Sequence, residues 1–152
     1  MAIYYFDRSG LVKRYISEKG SLWVKSLTDA QPGNSLYIAR ITGVELIAAI
    51  TRRQRRGATT LSDAAAAMTA FRTDFIKAYF PLDVTPGIVA RAMDLAERHG
   101  LRGYDAVQLA SALELRDQCL ASGLPPPLFI AADTELNAAA LVEGLAVDNH
   151  WC

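Results

Sequence analysis

Cysteine is almost missing from this sequence, with only Cys119 and Cys152 among 152 residues. Two cysteines cannot build a disulfide framework or a thiolate metal cluster, and their scarcity fits a reducing, cytoplasmic setting. No apolar stretch approaches the ~20 residues that a membrane-spanning helix needs. The opening MAIYYFDRSG has no basic segment ahead of its apolar residues and no small-residue cleavage site. It is therefore expected to form a core strand and not a secretion signal. Net charge is missing too, because 16 Lys and Arg balance 16 Asp and Glu. A chain that wraps nucleic acid stably is usually basic, so contact with such a polymer would come from a local patch, as in an enzyme that holds its substrate briefly. Internal repeats, low-complexity tracts and long linkers are also lacking. What is there is a folding composition, 51% hydrophobic and 21% charged, enough for one compact domain over residues 1–152.

The apolar runs divide into short strands and longer helices. Residues 2–6 predict a buried, aromatic-rich strand ending at Asp7. Leu11, Val12, Tyr15 and Ile16 predict a helix over 9–18, and Leu22, Trp23 and Leu27 a second short one beyond Gly20. Pro32-Gly33-Asn34 reads as a turn before a strand over 36–39. Helices are expected over 42–56, stopped by Gly57, and over 61–79, capped by Ser62 or Thr60. A short apolar piece over 80–84 precedes Thr85-Pro86, which opens a helix running to His99 and stopped by Gly100. A helix over 104–121, a strand over 128–132, a helix to Glu143 and a strand over 145–147 complete the chain. Strands that are continuous apolar runs alternating with helices predict an α/β fold, a parallel sheet covered on both faces.

In such sheets the binding crevice lies beyond the carboxyl ends of the strands. Asp7 and Asp133 each follow a predicted strand and stand at that edge, although an aspartate between strand and helix can equally serve as an N-cap. Glu45 is the one charge in Ile41-Thr42-Gly43-Val44-Glu45-Leu46-Ile47-Ala48-Ala49-Ile50. A helix apolar nearly all round is buried, and a buried carboxylate calls for a cation or strong donors unless it snorkels to the edge or pairs with an arginine. Asp105 falls in the first turn of its helix, four residues before Leu109, on the side facing the core, where the helix dipole also favours an acid. Two acids at one edge and two on inward-facing helix surfaces would, once clustered, repel each other and take up protons unless a divalent cation neutralised them. Oxygen ligands without nearby cysteine or histidine favour Mg²⁺ or Mn²⁺ over Zn²⁺. Phosphodiester cleavage by a metal-activated water is the reaction class that follows most directly.

The stretches around these acids resemble the PIN-domain ribonucleases, in particular the toxins of VapBC-type toxin–antitoxin pairs. Tyr5-Phe6-Asp7-Arg8-Ser9-Gly10-Leu11-Val12-Lys13-Arg14-Tyr15 is similar to that family's first strand and helix. Val44-Glu45-Leu46 with Ala48-Ala49 is similar to its glutamate helix, and Ala132-Asp133 with Leu136, Ala139-Ala140 and Gly144-Leu145 to its fourth-acid region. Gly100-Leu101-Arg102-Gly103-Tyr104-Asp105-Ala106-Val107-Gln108-Leu109-Ala110 is the most specific stretch. The resemblance implies a PIN-like three-layer sandwich around a sheet of four to five short strands. It further implies a site in which Asp7, Glu45, Asp105 and Asp133 bind Mg²⁺ or Mn²⁺ and hydrolyse RNA, with Ser9 supporting it from the first loop. A cognate antitoxin partner and a homodimer are also implied. Arg8 departs from the family's usual small hydroxyl residue, Gly10 from its alanine and Ala131 from its common hydroxyl residue. None of the three removes a metal ligand.

Arg52-Arg53-Gln54-Arg55-Arg56 is the one dense basic patch, either a phosphate contact for RNA or a solvated helix end. Arg8, Lys13, Arg52 and Arg53 are the candidate RNA contacts, Arg8 being equally able to pair with a site acid. His99 and His150 read as a helix end and a surface tail, and Cys119 as a packing residue. Two other readings were open. A phosphatase of the haloacid-dehalogenase type needs a second aspartate where Ser9 stands, and a receiver domain wants a lysine that the region after Asp133 does not offer. A PIN-like interaction module without nuclease activity would be expected to have lost an acid.

Overall fold

The computed structural model describes residues 2–29 and 33–148. Pro32, His150 and Cys152 therefore lie outside the described residues. The sheet is built from β1 (Ile3–Phe6), β2 (Ser35–Ala39), β3 (Tyr79–Leu82), β4 (Leu128–Ile130) and β5 (Ala146–Val147), in the order β3-β2-β1-β4-β5. Every pairing is parallel, with Tyr5 opposite Tyr37 on one side and Phe129 on the other. Chain order runs outward from β1 in both directions, so the topological switch lies between β1 and β4, where a parallel sheet opens its crevice.

The helices are α1 (Arg8–Tyr15), α2 (Ser21–Thr28), α3 (Thr42–Arg55), α4 (Leu61–Lys77), α5 (Pro86–His99), α6 (Gly103–Ala121) and α7 (Thr134–Val142). Two separate cores result from the strand alternation. Tyr5 and Phe129 join Leu109, Leu113 and Leu136 of α6 and α7 on one face. Phe6, Ile38 and Ile130 join Leu11, Leu46, Ile50 and Phe71 of α1, α3 and α4 on the other. The expected three layers are present, with a five-stranded sheet between two helical layers.

Differences from the sequence reading have local causes. The fourth helix stops at Lys77 and not at residue 79, because Tyr79 is buried and pairs in register with Leu36. Its cap is Thr60, whose hydroxyl accepts from the Asp63 N–H, and not Ser62. Strand β4 ends at Ile130, because the Ala132 N–H turns away to the Ser9 hydroxyl. Leu145 stays out of β5 because its N–H closes the end of α7 on the Ala140 carbonyl, past Gly144 at φ 90°. Helix α3 is not buried all round: Val44 is 65% exposed, while Thr42, Leu46 and Ile50 are buried.

Candidate active site

The carboxyl ends of β1 and β4 meet at the switch, and Asp7 sits at their junction. It caps α1, accepting from the Gly10 N–H at 3.0 Å, and its side chain is buried. The cap and the site are thus one arrangement and not alternatives. Ser9 does not cap the helix. Its hydroxyl lies 2.7 and 2.9 Å from the two Asp7 oxygens and accepts from the Ala132 N–H at 2.9 Å, which ties the two strand ends together. Glycine at position 10 is required here, since a Cβ there would lie 2.7 Å from the Ile130 carbonyl oxygen. The replacement of alanine in this stretch therefore follows from how closely α1 packs on β4.

Three more elements bring the remaining acids to the same place. Asp133 caps α7 through the Leu136 N–H at 2.9 Å, as the cap reading expects. The turn before it is steadied from below by Asn137, whose side-chain N–H donates to the Ala131 carbonyl at 2.8 Å. Asp105 stands in the first turn of α6 and Glu45 in the first turn of α3. Asp7, Ser9, Glu45, Asp105 and Asp133 line one cavity of about 280 Å³, together with Arg8, Arg52, Arg102 and Tyr104.

The electrostatics of this cavity are only partly compensated, Arg8 and Arg102 acting on its acids from a distance. Burial pushes the Asp7 carboxyl up to about 7, against the pull of Ser9, Gly10 and Arg8. Burial also raises Glu45 above the ordinary carboxylate range, with Asp105 adding to the effect and Gln108 opposing it. Asp105 is raised chiefly by burial and then by the charge of Asp133. Among the described residues, the guanidinium groups of Arg8, Arg52 and Arg102 make no hydrogen bond or ion pair, although carboxylates share their cavity. The cavity thus holds more carboxylate than it keeps fully charged, beside arginine forks that are free for an anion.

The donor set is chemically that of a hard cation, carboxylate oxygens with a hydroxyl at their base. Among the described residues no three His, Cys, Asp or Glu side chains stand close enough to cage one ion. Mg²⁺ needs no such cage, because it keeps several waters and takes one or two carboxylates. The residues present fit such an ion on that basis.

Two expected RNA contacts are not brought to the cavity. Lys13 reaches Glu18 at 3.0 Å and the Lys19 carbonyl at 2.8 Å, and Arg53 reaches the other Glu18 oxygen at 2.9 Å. Glu18, beyond the end of α1, gathers both cations before they can turn inward. Helix α3 divides its basic run accordingly, Arg52 facing the cavity and Arg53 facing Glu18. His99 lies at the end of α5 and bonds Glu143, and Cys119 is free and buried, as read from sequence.

Sequence reasoning passed over Gln108. It is buried on α6, one turn beyond Asp105. Its amide N–H groups donate to Glu45 at 2.6 Å and Thr42 at 2.8 Å, and its oxygen accepts from the Tyr5 hydroxyl at 2.7 Å. The signal available was a lone amide in the otherwise apolar run Ala106-Val107-Gln108-Leu109-Ala110.

Comparison with known proteins bears on the family and the fold. The family model described as "PIN domain" matches residues 4–141. The chain is 34% identical over 148 residues to Ribonuclease VapC45 of Mycobacterium tuberculosis, covering 97% of this chain and 95% of that one. Among solved structures it is similar to the M. tuberculosis toxin VapC20, with a TM-score of 0.60 at 20% identity over 91% of this chain and 95% of that one. It is also similar to the VapBC-1 structure from nontypeable Haemophilus influenzae, with a TM-score of 0.61 at 14% identity over 97% of each chain. With a family model matched over most of its length and a relative matched nearly end to end, the chain belongs to the PIN-domain family.

Proposed function

We propose that this chain is an endoribonuclease that hydrolyses RNA phosphodiester bonds with Mg²⁺ or Mn²⁺ and acts as the toxin of a toxin–antitoxin pair in the cytoplasm. The observation that carries the reading is the convergence of Asp7, Glu45, Asp105 and Asp133 beside three unpaired arginines in one cavity. Acids alone would suit a cation alone. Acids and free guanidinium groups together suit a cation carrying a phosphate diester.

Asp7 and Asp105 would hold the ion most directly, Asp7 already oriented by Ser9 and Gly10. Glu45 and Asp133 would support it from the two flanking helices. When bound, the cation would acidify a water and neutralise charge developing on the phosphate. Arg8 and Arg102, at the first turn of α1 and the cap of α6, would grip non-bridging phosphate oxygens, and Arg52 a neighbouring phosphate. Tyr104, 63% exposed at the cavity wall, offers a face on which an unpaired base can stack. The toxin role rests on the names of the relatives, and the VapBC-1 neighbour supports an antitoxin partner. A homodimer is part of the same reading.

Cleavage of short RNA by purified protein tests it. Wild type should cut with Mn²⁺ or Mg²⁺ and stop on adding EDTA. Asp105→Asn should lose about 100-fold or more of the rate. Undiminished cleavage by Asp105→Asn would overturn the metal site, and no cleavage of any RNA by wild type would overturn the nuclease reading.

A further inference from the structure

The hydrogen bonds of Gln108 reach three elements at once, and each is made inside the protein. Tyr5 on β1 and Thr42 on α3 are fully buried, and Gln108 itself is 1% exposed. The Tyr5 hydroxyl donates to the amide oxygen, which leaves both amide N–H groups to donate, one to Thr42 and one to a Glu45 oxygen. A reversed amide would set its oxygen 2.6 Å from a carboxylate oxygen, where both are acceptors. The Glu45 carboxylate thus fixes which way the amide points, the Tyr5 hydroxyl anchors the amide oxygen in that orientation, and the amide in turn holds one oxygen of Glu45. Among the described residues no hydrogen bond or ion pair takes the second Glu45 oxygen, and Glu45 lines the cavity with Asp7 and Asp105.

A glutamate side chain has three rotatable bonds, and one at the mouth of a charged cavity would ordinarily swing toward water. Asp7 is shorter and is locked by Ser9 and Gly10. Glu45 has no such backbone donor, and Gln108 supplies the equivalent restraint. The geometry points to Gln108 as a positioning residue that pins one Glu45 oxygen, through Tyr5 and Thr42, so that the other is presented to the divalent cation. This inference rests on the metal-dependent nuclease reading and deepens it. It assigns the restraint of the Glu45 side of the metal site to a residue that touches neither cation nor substrate.

Mn²⁺ titration of metal-stripped protein, followed by loss of the free-ion electron paramagnetic resonance signal, tests this apart from catalysis. Gln108→Met keeps the length of the side chain and removes the amide. It should weaken Mn²⁺ binding about 10-fold or more. In cleavage assays it should raise the Mn²⁺ concentration for half-maximal rate by a similar factor, with a smaller change in the rate at saturating metal. The two substitutions must not add. In a Glu45→Gln background, Gln108→Met should change Mn²⁺ affinity less than about 2-fold. If Gln108→Met fails to fold, Tyr5→Phe, which keeps the Glu45 bond but removes the donor that anchors the amide oxygen, should still weaken Mn²⁺ binding by several-fold. Unchanged Mn²⁺ affinity in either folded variant, or full additivity with Glu45→Gln, would overturn the role of Gln108 while leaving the nuclease reading intact. Absence of Mn²⁺ binding by wild type would overturn that reading itself.

Discussion

Two of this domain's polar clusters treat charge in opposite ways. Where α1, α2, α4 and β3 meet, Arg14 pairs with Asp29 and, at 3.4 Å, with Asp74, and it donates to Thr28 at 2.9 Å. Tyr15 donates to Asp74 at 2.7 Å and bonds the Tyr79 hydroxyl. Every charge there has a partner of the opposite sign or a donor. At the carboxyl edge of the sheet, acids from β1, α3, α6 and α7 share a cavity with arginines that pair with none of them. The first cluster has settled its electrostatics within the protein and works as a fastener between elements. The second is left incomplete, as the proposed binding of a cation and a phosphate diester would require.

The comparison breaks first on activity. Asp7→Asn should lower RNA cleavage by about 100-fold or more, while Arg14→Met, in a fully folded protein, should change it less than about 2-fold, both read by initial rates at saturating Mn²⁺. Comparable losses in the two variants would erase the distinction.

Stability in the absence of metal should show the reverse order. With its carboxyl pushed up to about 7 from the ordinary 3.8, folded Asp7 retains a proton that the unfolded chain has lost across that interval. The stability this contributes is complete below about pH 4 and is lost as the pH rises to about 7. At pH 8 in EDTA, Asp7→Asn should therefore be more stable than wild type by about 2–4 kcal/mol, measured by denaturant unfolding. Mn²⁺ should stabilise wild type and leave Asp7→Asn nearly unmoved. Arg14→Met should cost about 1–3 kcal/mol with or without Mn²⁺, because it removes the pairs with Asp29 and Asp74 and leaves Asp74 only the Tyr15 hydroxyl. A less stable Asp7→Asn in EDTA would mean that the edge is as settled as the fastener.

The smallest effects belong to the rim. Arg52→Ala should raise the RNA concentration for half-maximal cleavage several-fold and flatten its salt dependence, with stability within about 0.5 kcal/mol of wild type. Arg53→Ala, which loses the Glu18 pair and not a cavity contact, should leave that concentration unchanged. Equal effects from the two neighbours would return the whole basic run to the role of a diffuse attractor.

Sequence alone determined the elements, their order and the carboxyl ends at which Asp7 and Asp133 stand. Those features follow from apolar runs, caps and glycine stops, which act within a few residues along the chain. Asp105 and Glu45 were legible for the same reason, as acids out of place on otherwise apolar helix faces. Tertiary structure decided which charges meet. Arg14 finds Asp74 60 residues away, and Gln108 finds Glu45 63 and Tyr5 103 residues away. Lys13 lies on the same helix as Arg8, and Arg53 is the next residue after Arg52, yet Glu18 captures them. Ion pairs and buried amides select partners by distance and desolvation in the packed molecule, and neither quantity is written in the local pattern. The four acids could be named from the sequence, whereas the free arginines beside them and the amide behind Glu45 exist only once the sheet has brought its edges together.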